Sequence, residues 1–184
     1  MTAPRKEPFE RFEALYALAK SAQPKDPNAV SLATVDADGR PSVRIVLMKS
    51  VDEHGFVVFT NHHSRKGQEL LAQKVAALCF YWPTLDSQVR VEGTVTVVSD
   101  EESDAYFATR PRVSQLGAWA SKQSQPLDAR ETLETRLHQF DKQYDGQNVP
   151  RPAHWGGFRI APSCIEFWKA GDNRLHHRTV YTRE

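Results

Sequence analysis

Cysteine is scarce in this 184-residue chain. Cys79 and Cys164 are the only two, far apart, each inside an apolar stretch ("AALCFYW" and "SCIEFW"). That excludes a disulfide framework and fits buried free thiols in a reducing cytoplasm. Long hydrophobic runs are missing too. No segment approaches membrane-spanning length, and the N-terminal "MTAPRKEPFERFEALY" lacks the uninterrupted apolar core of a signal peptide, so a cytoplasmic protein with no membrane partner is expected. Nor is there an excess of one charge. Lys and Arg number 24 against 23 Asp and Glu, a net charge of +1. No global field therefore points to nucleic acid, and any anion must be held by a local cluster. Gly-x-Ser-x-Gly, P-loop and Gly-x-Gly-x-x-Gly motifs are all absent. The histidines (His54, His62, His63, His138, His154, His176 and His177) show no zinc-type spacing with cysteine, and no metal site is expected. There is no internal repeat and no low-complexity segment.

What is present is the composition of a soluble globular domain, 40% hydrophobic and 26% charged,. The length suits a single domain spanning residues 1–184. Phe9, Phe12, Leu15, Tyr16 and Ala19 recur at helical spacing and predict an amphipathic helix over residues 8 to 21, ended by Pro24 and Pro27. "AVSLATV" and "SVRIVLMK" read as strands joined at Asp38-Gly39, a strong hairpin signal. "FVVFT" is a third strand. A short helix follows, with Ser64 as its N-cap. "VAALCFYW" suits a buried strand, and "QVRVEGTVTVVS" puts Val89, Val91, Val95 and Val97 on one parity.

Ser99 and Glu102 form a capping box for "DEESDAYFATR", stopped by Pro111, and Asp128 with Glu131 repeats the device for "ARETLETRLHQFDKQY". In that helix Leu133, Leu137, Phe140 and Tyr144 make a packing stripe. "GAWASKQSQPL" and "DGQNVPRPAHWGG" read as loops. "CIEFWKAG" and "RLHHRTVYTR" form a last hairpin around Gly171-Asp172-Asn173. Consecutive antiparallel hairpins with intervening helices predict a mainly β protein, a small antiparallel barrel with the N-terminal helix and others packed outside.

The cations raise the functional question. Arg65 and Lys66 occupy the first turn of the helix after Ser64, where the macrodipole disfavours positive charge by a few tenths to about 1 kcal/mol. Either the site is well solvated or an anion sits there. On a regular strand Arg174, His176 and Arg178 would share one face, lining either solvent or an electron-rich ligand. Tyr106 and Arg110 lie at i and i+4 on a helix, with Ser114 just beyond. The three are suitable phosphate donors, although a tyrosine at the edge of the core and a cation at a helix C-terminus would look the same. Arg44 and Lys49 differ in parity and would point to opposite faces of an ideal strand.

Joined in order, "RIVLMK", "FTNHHSRKG", "QVRVEG", "YFATRPRVSQLGAWASKQS", "WGGFRI", "IEFW" and "RLHHR" resemble the pyridoxine/pyridoxamine 5′-phosphate oxidases, from about Phe9 to Glu184. The segment from Tyr106 to Ser124 is the most specific. The resemblance implies an FMN-binding split β-barrel and a homodimer with FMN at the subunit interface. It implies that Arg65 and Lys66 hold the FMN phosphate region with Arg44, and with Gln123 and Ser124 from the other subunit. Further flavin contacts would come from Ile45, Val46, Leu47, Met48 and Lys49, from Phe59 and Thr60, and from Gln88, Trp168 and Arg178. Some of these would act through backbone groups.

By the same resemblance Lys49, Tyr106, Arg110 and Ser114 grip the substrate phosphate, while Arg174 and His176 lie over the pyridine ring. The implied reaction, part of vitamin B6 metabolism, oxidises C4′ of pyridoxamine or pyridoxine 5′-phosphate by hydride transfer to flavin N5. Pyridoxal 5′-phosphate is formed, and dioxygen is reduced to hydrogen peroxide. Arg174 is expected to position C4′ and stabilise developing charge, with His176 as a hydrogen-bonding partner. Where this chain has His177 the family often has an acidic residue, which alters the charge near Arg178. Two other readings stand beside this one. One is an FMN oxidase of the same barrel acting on another aromatic substrate, as in phenazine pathways; the other is a non-catalytic FMN- or pyridoxal-phosphate-binding module.

Overall fold

A computed structural model describes residues 6–22 and 25–183. Pro24 lies outside the described residues. The N-terminal helix α1 runs Glu7–Ala22 and buries Phe12 and Ala19, with Phe9, Leu15 and Tyr16 partly buried beside them. Strands β1 (Ala29–Val35), β2 (Pro41–Asp52) and β3 (Gly55–Asn61) follow, then helix α2 (Arg65–Gln73), β4 (Val75–Trp82) and β5 (Ser87–Val97). Helices α3 (Asp100–Ala108), α4 (Arg112–Ala120) and α5 (Arg130–Gln143) precede β6 (Trp155–Lys169) and β7 (His177–Thr182).

The sheet runs β3-β2-β1-β4-β5-β6-β7 with every recorded pairing antiparallel, and β3 also pairs with β6. Six strands therefore close a barrel, and β7 extends it from β6. The main core sits inside. Phe12 from α1 closes one end, its ring edge-on to Phe56 at 4.8 Å and to Phe80 at 5.0 Å. Burying each such ring stabilises the fold by about 1.5–3 kcal/mol. A second, smaller cluster of Phe107, Leu116, Ala118, Val149 and Trp155 lies under the helices, with Leu137 and Phe140 of α5 and its C-cap Tyr144 packed on it.

The barrel is split. β2 pairs with β1 from Pro41 to Leu47 but meets β3 only from Met48 onward. The far end of β3, Phe59–Asn61, pairs with β6 instead. The upstream half of β2 thus has no strand on its β3 side among the described residues. The Met48 amide donates to Asn28 O at 2.9 Å, on the β1 side. By the alternation of an antiparallel strand, the backbone groups of Ile45 and Leu47 face the gap.

Several expectations need correction. β6 begins at Trp155, inside the segment read as a loop, because Trp155, Gly156 and Gly157 pair with the end of β3. Helix α4 takes in residues 117–120, the start of the segment read as a loop: Pro111 ends one helix and stands as the N-cap of the next, and Leu116, Ala118 and Ala120 are buried on its inner face. The N-cap of α5 is Ala129, with no side-chain cap bond, so Asp128 does not cap it.

The inward parity of β5 fails at its end. A register shift at Glu92/Gly93 precedes Val95, which is buried, while Val97 is 52% exposed and Val98 turns inward. Arg174 belongs to a 3₁₀ turn, Asp172–Arg174, and His176 precedes β7, so the three-residue parity argument holds for neither. Both cysteines are free but only half-buried, on the outer parity of β4 and β6. β4 is not buried on both faces. Val75 and Tyr81 are exposed on its outer side, as Val43 and Ile45 are on β2.

Candidate active site

Against the split, between β2, β3 and the helices, lies a cavity of about 700 Å³. That is the size range of cofactor and ligand pockets. Arg44, Lys49, Lys66 and Arg110 line it, and no Asp or Glu among the described residues does. In a chain of net charge +1 this is a concentrated positive field, suited to an anion or a polyanion.

β2 supplies one wall. Its residues alternate, with Val46 and Met48 inward and Ile45, Leu47 and Lys49 outward. The register shifts between Met48 and Ser50, so Lys49 sits at the irregularity,. The parity conflict between Arg44 and Lys49 is resolved by the cavity's position at the split. Lys49 lines it from the outer face, while the Arg44 guanidinium crosses the barrel end and bonds Leu32 O, Thr34 and Ser42. Met48 is 3% exposed within the core and does not line the cavity.

α2 supplies the second group. Ser64 caps it by accepting from the Gly67 amide at 3.2 Å. Gly67 is needed for close approach, because a Cβ there would lie 2.5 Å from the His62 carbonyl oxygen,. The two first-turn cations then part company. Arg65 turns back one helical turn to Glu69, Nε to Oε1 at 2.8 Å, and does not line the cavity. Lys66 does line it. Its Nζ is 3.0 Å from Gln123 Oε1 and 3.4 Å from Thr60 Oγ1, and burial together with the charge of Arg44 holds its pKa below the ordinary lysine range.

Gln123 makes these contacts within one chain, also accepting from Thr60 at 3.1 Å, so its place beside Lys66 needs no second subunit. Ser124, next to it, is exposed with φ 66°. Glu69 is the buried counter-charge behind this wall, accepting from Thr34, Ser42, Arg65 and Arg44. Burial alone would raise its pKa. The bonds from Thr34, Ser42 and Arg65 outweigh that and bring it to about 2,. The dipole-opposed cations are thus answered partly from within the protein. Arg65 has Glu69, while no carboxylate oxygen bonds Lys66 among the described residues.

The third group stands on α3 and α4. Tyr106 stacks on Phe59 at 4.2 Å, and Lys49 Nζ lies 6.0 Å from the tyrosine ring. The Arg110 guanidinium lies over Trp155 at 4.6 Å; its Nη1 is buried with no hydrogen-bond partner among the described residues, and burial lowers its pKa. An unpaired, buried N–H of a cation is a standing cost of about 1–3 kcal/mol or more, and a bound anion would remove it. Ser114 of α4 completes this side. Trp155 carries the arrangement and was missed as a site residue in the sequence, although the "WGG" text marks it. Glu69 was missed too. Its i,i+4 spacing from Arg65 was the available signal.

The remaining expected residues gather elsewhere. Gln88, Trp168 and Arg178 are register partners across β5, β6 and β7. His176 lies against Trp168 at 4.8 Å, and its Nδ1 accepts from the Gly171 amide at 3.3 Å. With Nδ1 an acceptor, the neutral ring carries its proton on Nε2. Asn173 and Arg174 both have positive φ, 53° and 65°, an uncommon conformation for two successive non-glycine residues,. None of these residues lines the cavity of Arg44, Lys66 and Arg110. The expected site residues thus fall in two separate groups within one chain.

Comparison with known proteins places the chain. Residues 19–144 match the family model "Pyridoxamine 5'-phosphate oxidase", and residues 155–184 match "Pyridoxine 5'-phosphate oxidase C-terminal dimerisation region". A pyridoxine/pyridoxamine 5′-phosphate oxidase of Myxococcus xanthus is 58% identical, covering 97% of this chain and 86% of its own. One from Anaeromyxobacter dehalogenans is 54% identical, covering 96% and 89%. Among solved structures, PhzG from Burkholderia lata in complex with tetrahydrophenazine-1-carboxylic acid superposes with a TM-score of 0.92 at 32% identity, covering 98% of this chain and 89% of that one.

Proposed function

This chain belongs to the pyridoxamine 5′-phosphate oxidase family, and we propose from that premise that it oxidises pyridoxamine and pyridoxine 5′-phosphates to pyridoxal 5′-phosphate with FMN as cofactor. FMN, when bound, accepts a hydride from C4′ and passes two electrons to dioxygen, giving hydrogen peroxide. The residues present suit such a group. Lys66, at a helix start and bonded to the amide oxygen of Gln123, offers a phosphate charge and N–H donors together,. Arg44 adds a second cation on that side. The free backbone edge of Ile45 and Leu47 offers donors and acceptors to a heterocycle.

The substrate phosphate falls to Lys49, Tyr106, Arg110 and Ser114,. The observation that carries this reading is Arg110, whose buried Nη1 has no partner among the described residues, in a cavity that no described carboxylate lines. Arg174 and His176 come from the second copy of a homodimer, through the segment that matches the dimerisation region. There the Arg174 guanidinium orients C4′, and His176 donates through Nε2 rather than abstracting a proton,. The exposed outer faces of β2 and β4, with Val43, Ile45 and Tyr81, are covered in that dimer. The protein works in the cytoplasm, and no helix among the described residues is long and apolar enough to cross a membrane.

The likeness to PhzG keeps a phenazine-type oxidase as the alternative. An unphosphorylated aromatic acid would leave Tyr106, Arg110 and Ser114 with less to bind. Peroxide release is therefore measured with pyridoxamine 5′-phosphate, with pyridoxamine, and with a dihydrophenazine carboxylate. Turnover confined to the phosphorylated substrate is expected. Preferential turnover of the phenazine compound overturns the reading.

A further inference from the structure

Two arginines outside the cavity are largely buried and bind carboxylates of helix α3. Arg151, in the loop before β6, has a side chain 10% exposed. Its Nε donates to Asp104 at 2.5 Å and its Nη2 to Asp100 at 2.6 Å, gripping carboxylates one helical turn apart,. Its Nη1 donates to the carbonyl oxygen of Trp155 at 2.7 Å. Arg159 of β6, 17% exposed, bonds both Asp52 oxygens at 2.7 Å and both Glu102 oxygens at 3.2 Å. The first turn of α3 is thereby tied to β6 and to the turn after β2. Asp100 and Glu102 also sit at the favourable end of the helix dipole,.

The consequence lies at the other end of α3. Arg110, just past that helix, lies over the Trp155 ring, and Tyr106 stacks in the same aromatic group. Phe59 and Phe107 make the ring contacts between helix and tryptophan, and Arg151 joins the same two surfaces by charged hydrogen bonds, the helix through Asp100 and Asp104 and the tryptophan through its backbone. We propose that Arg151 is a positioning residue for the substrate-phosphate grip, fixing α3 against Trp155 so that Arg110 and Tyr106 point into the cavity. This rests on the assignment of that side of the cavity to the substrate phosphate. Arg159 is the outer support, setting the helix at its first turn. Among the described residues neither arginine bonds Arg44, Lys66 or any other cavity-lining residue of β2 and α2, where the flavin phosphate is placed; Asp52, the β2 partner of Arg159, lies outside the cavity, so cofactor binding is independent of the clamp.

The test uses the FMN-loaded protein with Arg151→Met, Arg151→Lys and Asp104→Asn, the last a change of an exposed carboxylate that keeps its shape. KM and kcat for pyridoxamine 5′-phosphate, FMN affinity and thermal midpoint are measured for each. A displacement of about 1 Å in a binding constellation can cost up to about 100-fold. Expected is a KM raised about tenfold or more in Arg151→Met and severalfold in Asp104→Asn, with partial recovery in Arg151→Lys. Saturated kcat stays within about twofold and FMN affinity is unchanged. An unaltered KM in both Arg151→Met and Asp104→Asn overturns the proposal. So does a parallel loss of kcat, FMN affinity and thermal midpoint, the mark of a purely structural role. If the unaltered protein does not turn over pyridoxamine 5′-phosphate, the functional reading itself has failed, and the result is separable from failure of the clamp.

Discussion

The guanidinium of Arg110 lies 4.6 Å above the ring of Trp155, with one buried nitrogen that bonds nothing among the described residues. The tryptophan face holds the cation in a partly dry place without neutralising it, which leaves the charge available to a ligand. A phosphate would accept from that nitrogen in a charge-assisted bond of about 1.5–3 kcal/mol. Arg110→Ala should therefore raise KM for pyridoxamine 5′-phosphate by roughly 10- to 150-fold, while FMN content stays the same. Steady-state kinetics with a flavin assay check both. Loss of FMN with unchanged KM would assign Arg110 to the other phosphate.

Lys66 gives a pH signature. In the free protein burial and the charge of Arg44 depress its pKa below the usual value of about 10.4,. A bound dianion reverses this and favours the protonated amine. Binding thus takes up a proton above the free-state pKa, and FMN affinity should fall as pH rises through that depressed value. Lys66→Arg, which does not deprotonate in this range, should flatten the curve. Fluorescence titration of FMN at a series of pH values measures it.

Gln123 faces Lys66 at 3.0 Å through its amide oxygen. Gln123→Glu places a carboxylate there, pairs the lysine internally and repels a phosphate. FMN affinity should drop about tenfold or more while KM for substrate, measured at saturating FMN, changes little. Equilibrium dialysis and kinetics separate the two.

Glu69 makes the apo fold acid-sensitive. Its folded pKa, about 2, lies below the unfolded value of about 4.3,. The stability it contributes is complete above the unfolded value and is lost as pH falls from about 4.3 toward 2. The loss is of order 2 kcal/mol. Urea unfolding between pH 5 and about 2 should show this slope, and Glu69→Gln should reduce it.

How far the sequence discloses this molecule depends on the range of each signal. β1 and β4 occupy the residues their β-rich runs marked, because strand formers bounded by turns and a helix are a local pattern, although the continuous apolar text of β4 hid which of its faces is exposed,. The cap at Ser64 and the cap at Ser99 are equally local and appear as expected. Helix α4 was hidden because its stability comes from burying Leu116 and Ala120, a tertiary effect. The pairing of Trp155 with Asn61 joins residues far apart in sequence, so the start of β6 could not be read from its neighbours. The site was visible as residue types and only partly as geometry. Arg65 turning to Glu69, and Arg174 leaving the strand at positive φ, are side-chain and backbone choices that no periodicity records.

The two groups of site residues make one centre only if a second copy joins them around a flavin. The measurement that tests this most directly is the visible spectrum of the FMN-loaded protein mixed with pyridoxamine 5′-phosphate in the absence of oxygen. The account predicts that the flavin band bleaches and returns on admitting air, with pyridoxal 5′-phosphate and hydrogen peroxide formed in equal amounts. A protein that takes up no FMN, or whose flavin band is unmoved by that substrate, would contradict it.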